Sequence, residues 1–341
     1  MKIISDLILK KIQPKTPPIW LMRQAGRYMR EYNEIRSKYK NFMDFCYQYK
    51  ETSEVTLQPI RKFNFDAAII FSDILVVPDS LGVEVVFKEG YGPILSFDNK
   101  IKSLKSTSKN NDKFSCVSEA IKLTKLKLKE EGYDNKDLIG FSGSPFTLLT
   151  YILEKKRNNI FNDTRECIYR GEKFFDEMID ILTEQCINYL EIQVEAGVDI
   201  LQLFESHAGA LNKEMYYKYV INPNKKIVSH IKSKYNIPII GFPKGSRNLY
   251  KDYVLETKVD AISIDYLFSI EEFYEYNINI PVQGNIDPVI LLSDKEQIKK
   301  AVDKILEITK EKPLIFNLGH GILPTTPIEN VKFLVDYIRD K

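Results

Sequence analysis

Eight short apolar runs alternate with helical patterns along this chain and predict an α/β fold: a single (β/α)8 barrel of the TIM type. Three observations carry the prediction. The runs (residues 19–22, 67–71, 138–141, 200–204, 237–242, 261–264, 281–283 and 314–318) are mostly apolar, as in strands buried on both faces of a parallel sheet. The stretches between them carry apolar residues at three-to-four spacing, the mark of helices with one buried stripe. No GxGxxG follows any run, so the alternative, a doubly wound dinucleotide-binding sheet, lacks its motif.

Taken in order, the chain opens with an apolar stretch too short for a signal peptide and broken by Asp6, which reads as a short amphipathic helix. The run 19–22 holds the only Trp and breaks into Arg23-Gln24-Ala25-Gly26-Arg27. Gly26 is expected to supply the backbone freedom for a turn aiming both guanidiniums at one place. Arg30 and Arg36 follow, so four arginines lie within fourteen residues, and planar forks of this kind fit carboxylate or phosphate. The stretch 98–136 begins with Lys, Asn, Ser and Asp and is expected to be a peripheral insertion, with helical periodicity returning in 115–131. In 175–193, Phe175, Met178, Ile179, Leu182, Cys186 and Tyr189 form one stripe, and Gly197 ends the helix. Ser269 with Glu272, Ser293 with Glu296 and Thr326 with Glu329 have capping-box spacing, the last with Pro327 at the first helical position. The whole of 1–341 is expected to form one domain.

Of the 341 residues 28% are charged, and 49 Lys and Arg against 47 Asp and Glu leave a formal charge of +2. No global field attracts nucleic acid, so anion binding must be local. The four cysteines show no CxxC pairing, no apolar run reaches membrane-spanning length, and the protein is expected in the cytoplasm with reduced thiols.

In a barrel, reactive groups follow the strands. After the successive runs stand Arg23 and Arg27; Ser72-Asp73; Ser142-Gly143-Ser144-Pro145; Glu205-Ser206-His207; Pro243-Lys244-Gly245; Asp265-Tyr266; Gly284-Asn285-Ile286-Asp287; and Gly319-His320-Gly321. Each has a plainer explanation. Asp73 would serve as a helix N-cap, His207 and His320 as hydrogen-bonded structural histidines, Lys244 as an ion-pair partner, and Tyr151 with Phe146 as core. The three histidines are far apart in sequence and show no HxH, HExxH or His-x-Cys spacing, so no metal site is expected. No GxSxG occurs, which argues against a nucleophile-elbow hydrolase. The residues alone point to acid–base chemistry on a polyanionic organic molecule.

Residues 18–32, PIWLMRQAGRYMREY, closely resemble the first signature of the uroporphyrinogen decarboxylase family, and 140–154, GFSGSPFTLLTYILE, its second. IIFSDIL at 69–75, LQLFESHAG at 201–209, QGNIDP at 283–288 and NLGHGILPTTPIENV at 317–331 match further blocks in the family's order. Two departures stand out: Arg30 where the family often has Pro, and Ile264-Asp265-Tyr266 for the usual Leu-Asp-Trp. The resemblance implies a cytosolic homodimeric barrel enzyme of haem biosynthesis that uses neither metal nor organic cofactor. Its reaction would turn the four acetate side chains of uroporphyrinogen III into methyls, giving coproporphyrinogen III and four CO2. By matching position, residues Arg23, Gln24, Ala25, Gly26 and Arg27 would line the substrate site, with Arg36 as a further carboxylate ligand. Asp73 would accept hydrogen bonds from the pyrrole N–H groups, and Tyr151, Ser206 and His320 would contact substrate. Asp73, Arg27 and Tyr151 are the candidate catalytic residues. Nearby arginines are expected to favour the ionised form of Asp73. The proton donor stays open among a bound water, Tyr151 and a substrate carboxyl, since an arginine is a weak acid. The alternatives are a corrinoid-linked methyltransferase on the same barrel and a non-catalytic tetrapyrrole carrier. Against the first, His207 is followed by Ala208-Gly209 and no Cys follows Cys186, so its His-x-Cys zinc arrangement has no counterpart.

Overall fold

The computed structural model describes residues 2–12, 14–88, 92–97, 101–154 and 160–341. Seven parallel strands form one sheet in the order β1-β4-β5-β6-β7-β8-β9. They are β1 (Ala67–Ile69), β4 (Asp137–Gly143), β5 (Ile200–Glu205), β6 (Ile239–Pro243), β7 (Ala261–Ser263), β8 (Val282–Ile286) and β9 (Leu314–Leu318). A separate antiparallel hairpin, β2 (Glu84–Lys88) with β3 (Gly92–Ser96), lies between β1 and β4. Pro238, Pro281 and Pro313 each stand just before a strand, where a missing N–H costs no ladder bond. Their carbonyls accept from Leu201, Ile262 and Val282 at 3.0 Å.

The run 19–22 is not a full strand. Ile19 makes one isolated parallel bridge to Phe316. Trp20 N–H donates to Phe316 O (3.3 Å), Phe316 N–H to Pro18 O (2.8 Å), and Asp66 N–H to Ile19 O (2.9 Å). Pro17 and Pro18 remove two donors before the bridge, and Arg23, at φ 62°, turns the chain just after it.

The two faces of the curled sheet bury different clusters. Trp20, Ala67, Ile139, Ile200, Phe242, Ala261 and Ile315 pack inside with Ile4, Leu7 and Ile8 of the N-terminal helix Ile3–Lys10. Asp137 holds that helix by accepting from the Ile4 N–H at 2.9 Å. Two residues along, the inward positions turn polar: Gln283 accepts from the Trp20 indole (2.9 Å) and donates to Gln202 and Ser263 (3.1 Å each). The other face packs against the helices, including Lys173–Ala196, which ends at Gly197 with φ 105°.

The stretch 98–136 divides. Residues 98–100 lie outside those described, 101–103 form a single 3-10 turn, and Asp112–Glu130 is a helix burying Phe114, Val117, Ile121 and Leu128. That stripe packs on helices Tyr49–Phe63 and Lys173–Ala196, so 112–130 belongs to the helical layer. Of the expected caps, Ser269 accepts from Glu271 N–H at 3.1 Å. The next helix is capped by Asp294, not Ser293: Asp294 accepts from Gln297 N–H at 2.9 Å, while Ser293 Oγ donates back to Ile290 O. The last helix, Ile328–Arg339, begins after Pro327 with no side-chain cap, and the buried Thr326 hydroxyl does not reach it.

Candidate active site

The arginine turn is built from the inside. Gln24 is buried and uses its side chain structurally, accepting from Leu21 N–H (3.2 Å) and donating to Ala67 O (3.0 Å). Asn317 accepts from Met22 N–H at 3.0 Å, and Tyr28 donates to Gln24 O at 2.7 Å. The left-handed residue is Arg23 itself, not Gly26. Gly26 matters for space, since a Cβ there would lie 3.1 Å from Arg23 O. Gly321 likewise yields room: a Cβ at that position would lie 2.4 Å from Arg23 Cδ, so the arginine stem crosses the turn after β9. Ala25 is half-buried on the turn, and Arg23 and Arg27 are both exposed.

Asp73 sits just past β1, half-buried, and its Oδ1 accepts from Leu75 N–H at 2.9 Å. It pins a turn; the cap position of the following helix, Val76–Ser80, is Leu75. Burial raises the Asp73 carboxyl above its ordinary range, outweighing the Leu75 N–H and the nearby Arg23, which both pull it down. The expectation that arginines make it more acidic is therefore corrected: desolvation is the larger effect. Arg27, Arg36 and Asp73 share a neighbourhood, since all three act on the phenol of Tyr32, which burial pushes up most. Arg36 donates to Tyr39 O and lies 5.5 Å from the Phe42 ring centroid. Arg30 pairs with Glu34 at 2.8 Å on the surface, as an ordinary helical ion pair does.

Two histidines that are distant in sequence come together. His320, after β9, is held neutral with its pKa lowered to about 3, by burial and by Lys244, Arg23 and His207. His207, after β5, is lowered to about 3 by burial and Lys244. Its Nδ1 lies 2.5 Å from Thr150 Oγ1, whose single proton goes to Thr147 O at 2.6 Å. His207 therefore carries its proton on Nδ1. Its ring centroid is 5.1 Å from that of the half-buried Tyr151 and 4.4 Å from that of Phe161. Ser206, also half-buried, precedes it. The third histidine, His230, pairs with Glu191 at 3.1 Å on the helical layer. Among the described residues no group of three His, Cys, Asp or Glu is arranged to hold a metal. A cavity of about 840 Å3 between β3 and residues 152–154 and 163–172 contains none of the expected site residues.

Beneath Ser206 lies Glu205, fully buried, taking hydrogen bonds from Thr147 Oγ1 and Asn224 Nδ2. Burial raises its pKa from 4.5 to about 8. The folded protein thus keeps a proton that the unfolded chain loses near 4.5. This contribution is fully present below about 4.5 and is lost as pH rises through about 8, on the order of 5 kcal/mol at most. Glu205→Gln, which cannot ionise, is expected to melt close to wild type at about pH 5 and clearly above it at about pH 9. Parallel melting curves across that range would show that Glu205 is not a buried neutral acid.

Lys244 and His207, which the resemblance does not assign to the site, share the mouth with Arg23 and His320. Their places directly after the β6 and β5 runs were the available signal.

A family model described as uroporphyrinogen decarboxylase (URO-D) matches residues 7–341. A uroporphyrinogen decarboxylase of Rickettsia bellii is 47% identical over 342 residues, covering 100% of this chain and 99% of the relative. One from Rickettsia felis is 47% identical over 324 residues, covering 94% and 92%. Among solved structures, a methyltransferase from Methanosarcina mazei superposes with a TM-score of 0.79 at 18% identity, covering 98% of this chain and 96% of that one. At that identity the likeness concerns the fold alone. On its sequence relatives and the match along nearly all its length, the chain belongs to the uroporphyrinogen decarboxylase family.

Proposed function

We propose that this chain is a carboxy-lyase that decarboxylates the four acetate side chains of uroporphyrinogen III, giving coproporphyrinogen III and four CO2 in haem biosynthesis, without metal or organic cofactor. Family membership supports the reaction. The observation that carries it at the site is the meeting of Asp73 with Arg23 in a mouth otherwise lined by Lys244 and two neutral histidines.

The chemistry follows from the substrate. Losing CO2 from a pyrrole acetate leaves an electron pair that needs a sink, and protonating the ring supplies one as a cationic, iminium-like system. A carboxylate against the ring nitrogens stabilises that cation. Asp73 is the group for this role: half-buried and held by Leu75, it gains most from donors such as pyrrole N–H groups. Arg23, Arg27 and Arg36 bind carboxylates, Ala25 and Gly26 present turn backbone, and Gln24 supports the turn from within. Tyr151, Ser206 and His320 contact the macrocycle, and a water, Tyr151 or a substrate carboxyl delivers the proton. The bridge at Ile19 completes an eight-stranded barrel between β9 and β1 in this reading. Homodimeric assembly and a cytoplasmic location rest on the resemblance; a concentration-independent monomer in sedimentation would remove the first.

The test is incubation of purified protein with uroporphyrinogen III under reducing conditions with EDTA, separating products by carboxylate number. Progressive conversion to the tetracarboxylate is expected. Activity abolished by EDTA and restored by zinc would favour a zinc-dependent transferase instead.

A further inference from the structure

A half-buried ammonium normally has a counter-ion, because desolvating an unpaired charge is costly. This chain follows that rule elsewhere: Lys125 reaches Asp199 at 2.8 Å, and Lys136, more deeply placed, stands 3.6 Å from Asp66. Lys244 departs from it, and among the described residues lacks even the aromatic face that half-buried Lys299 finds 5.5 Å away in the Tyr337 ring. It is half-buried, yet among the described residues its ammonium has neither an ion pair nor a hydrogen bond. The one acidic group acting on it, Asp265, is already engaged by Gly245 N–H (2.6 Å), Tyr250 OH (2.6 Å) and Leu267 N–H (2.8 Å). Its other charged neighbour is Arg23, and the two histidines beside it are neutral.

The backbone beneath Lys244 is fixed from several sides. Its N–H donates to Glu205 O at 3.0 Å, and its carbonyl accepts from Gly209 N–H at 3.1 Å. Gly245 follows at φ 78°, packed so closely on Gly209 that a Cβ on Gly209 would lie 2.7 Å from Gly245 O. A rigid pedestal thus carries a cation into a place whose one acting carboxylate, Asp265, is bound to other donors. Burial and Arg23 lower the Lys244 pKa against the pull of Asp265, and an anion brought beside it would favour the ammonium form.

We propose that Lys244 is a further carboxylate ligand of the substrate, its ammonium completing with the Arg23 guanidinium a two-cation clamp built from separate strand ends. The inference rests on the polycarboxylate reading of the site and extends it to a residue outside the arginine turn. Ammonium and guanidinium differ in geometry, so a point charge here complements a fork at Arg23.

The experiment compares wild type, Lys244→Met and Lys244→Arg. Binding of uroporphyrin I, the stable oxidised octacarboxylate, is followed by fluorescence at two salt concentrations, with melting temperature and uroporphyrinogen decarboxylation recorded in parallel. Lys244→Met is expected to bind uroporphyrin roughly 10- to 100-fold more weakly, the scale of one charged hydrogen bond, with a shallower salt dependence. Lys244→Arg should keep most of the affinity. The Met variant should melt at or above wild type, because an unpaired cation has been removed. Unchanged affinity in Lys244→Met, a melting temperature that falls in proportion to lost binding, or a wild type that binds no uroporphyrin would each overturn the assignment. A wild type that binds uroporphyrin but decarboxylates nothing would instead overturn the proposed reaction and leave Lys244 standing.

Discussion

Replacing Asp73 by Asn is expected to lower turnover by about a hundredfold or more, the scale of removing one electrostatic stabiliser from an active site. Asn keeps the shape and an oxygen to accept from Leu75 N–H, so the turn after β1 should survive. What it loses is the negative charge opposite the cation formed on ring protonation. Substrate affinity should fall much less, since the arginines still hold the carboxylates. Melting temperature should hold or rise, because desolvation disfavours the ionised Asp73 in the free protein. A residue serving only the turn predicts otherwise: turnover and stability both near wild type. Melting temperature, affinity and turnover on this one variant separate the two, and near-normal turnover would sink the catalytic role.

The second large effect is expected at the arginine turn. Arg23→Lys and Arg27→Lys keep the charge but lose the planar fork, so kcat/KM should fall roughly 10- to 100-fold in each. The Arg23 variant carries the greater interest. Its backbone sits in the left-handed region, which Lys tolerates no worse than Arg, so the fold should be unaffected. Its stem fills the space over Gly321, and a lysine there also loses reach toward Asp73 and Lys244. Wild-type kinetics in both variants would return these arginines to the role that Arg30 plays with Glu34 on the surface.

Much of this architecture is readable from the chain because strands buried on both faces leave mostly apolar runs, and seven of the eight expected became strands of one sheet. The run at 19–22 shrank to a bridge because flanking prolines and a left-handed Arg23 leave no length for a ladder. The hairpin β2–β3 was invisible to that reading, since EVVFK and GPILS are short and only partly buried, and pair with each other away from the main sheet. The capping boxes at Ser293 and Thr326 failed on local geometry. Asp294, one residue later, reaches the third helical N–H, and Pro327 takes the cap position itself. At the site, residue types and strand-end positions were legible. The balance of forces was not, because a carboxyl next to arginines becomes less acidic only once its burial is known. For the same reason the lack of a counter-ion for Lys244 among the described residues, and the meeting of His207 with His320, belong to the folded structure. Spacing along the chain does not carry them.

The measurement closest to the central claim is the decarboxylation of uroporphyrinogen III run in D2O, with deuterium counted in the product. If each acetate loses CO2 and the resulting carbon takes its hydrogen from solvent or from an exchangeable group, every new methyl should carry one deuterium. After back-exchange of N–D and O–D in H2O, the tetracarboxylate should then contain four carbon-bound deuteriums, none of them at the propionates. A product with its carboxylate number unchanged, or one whose new methyls contain only protium, would contradict the account.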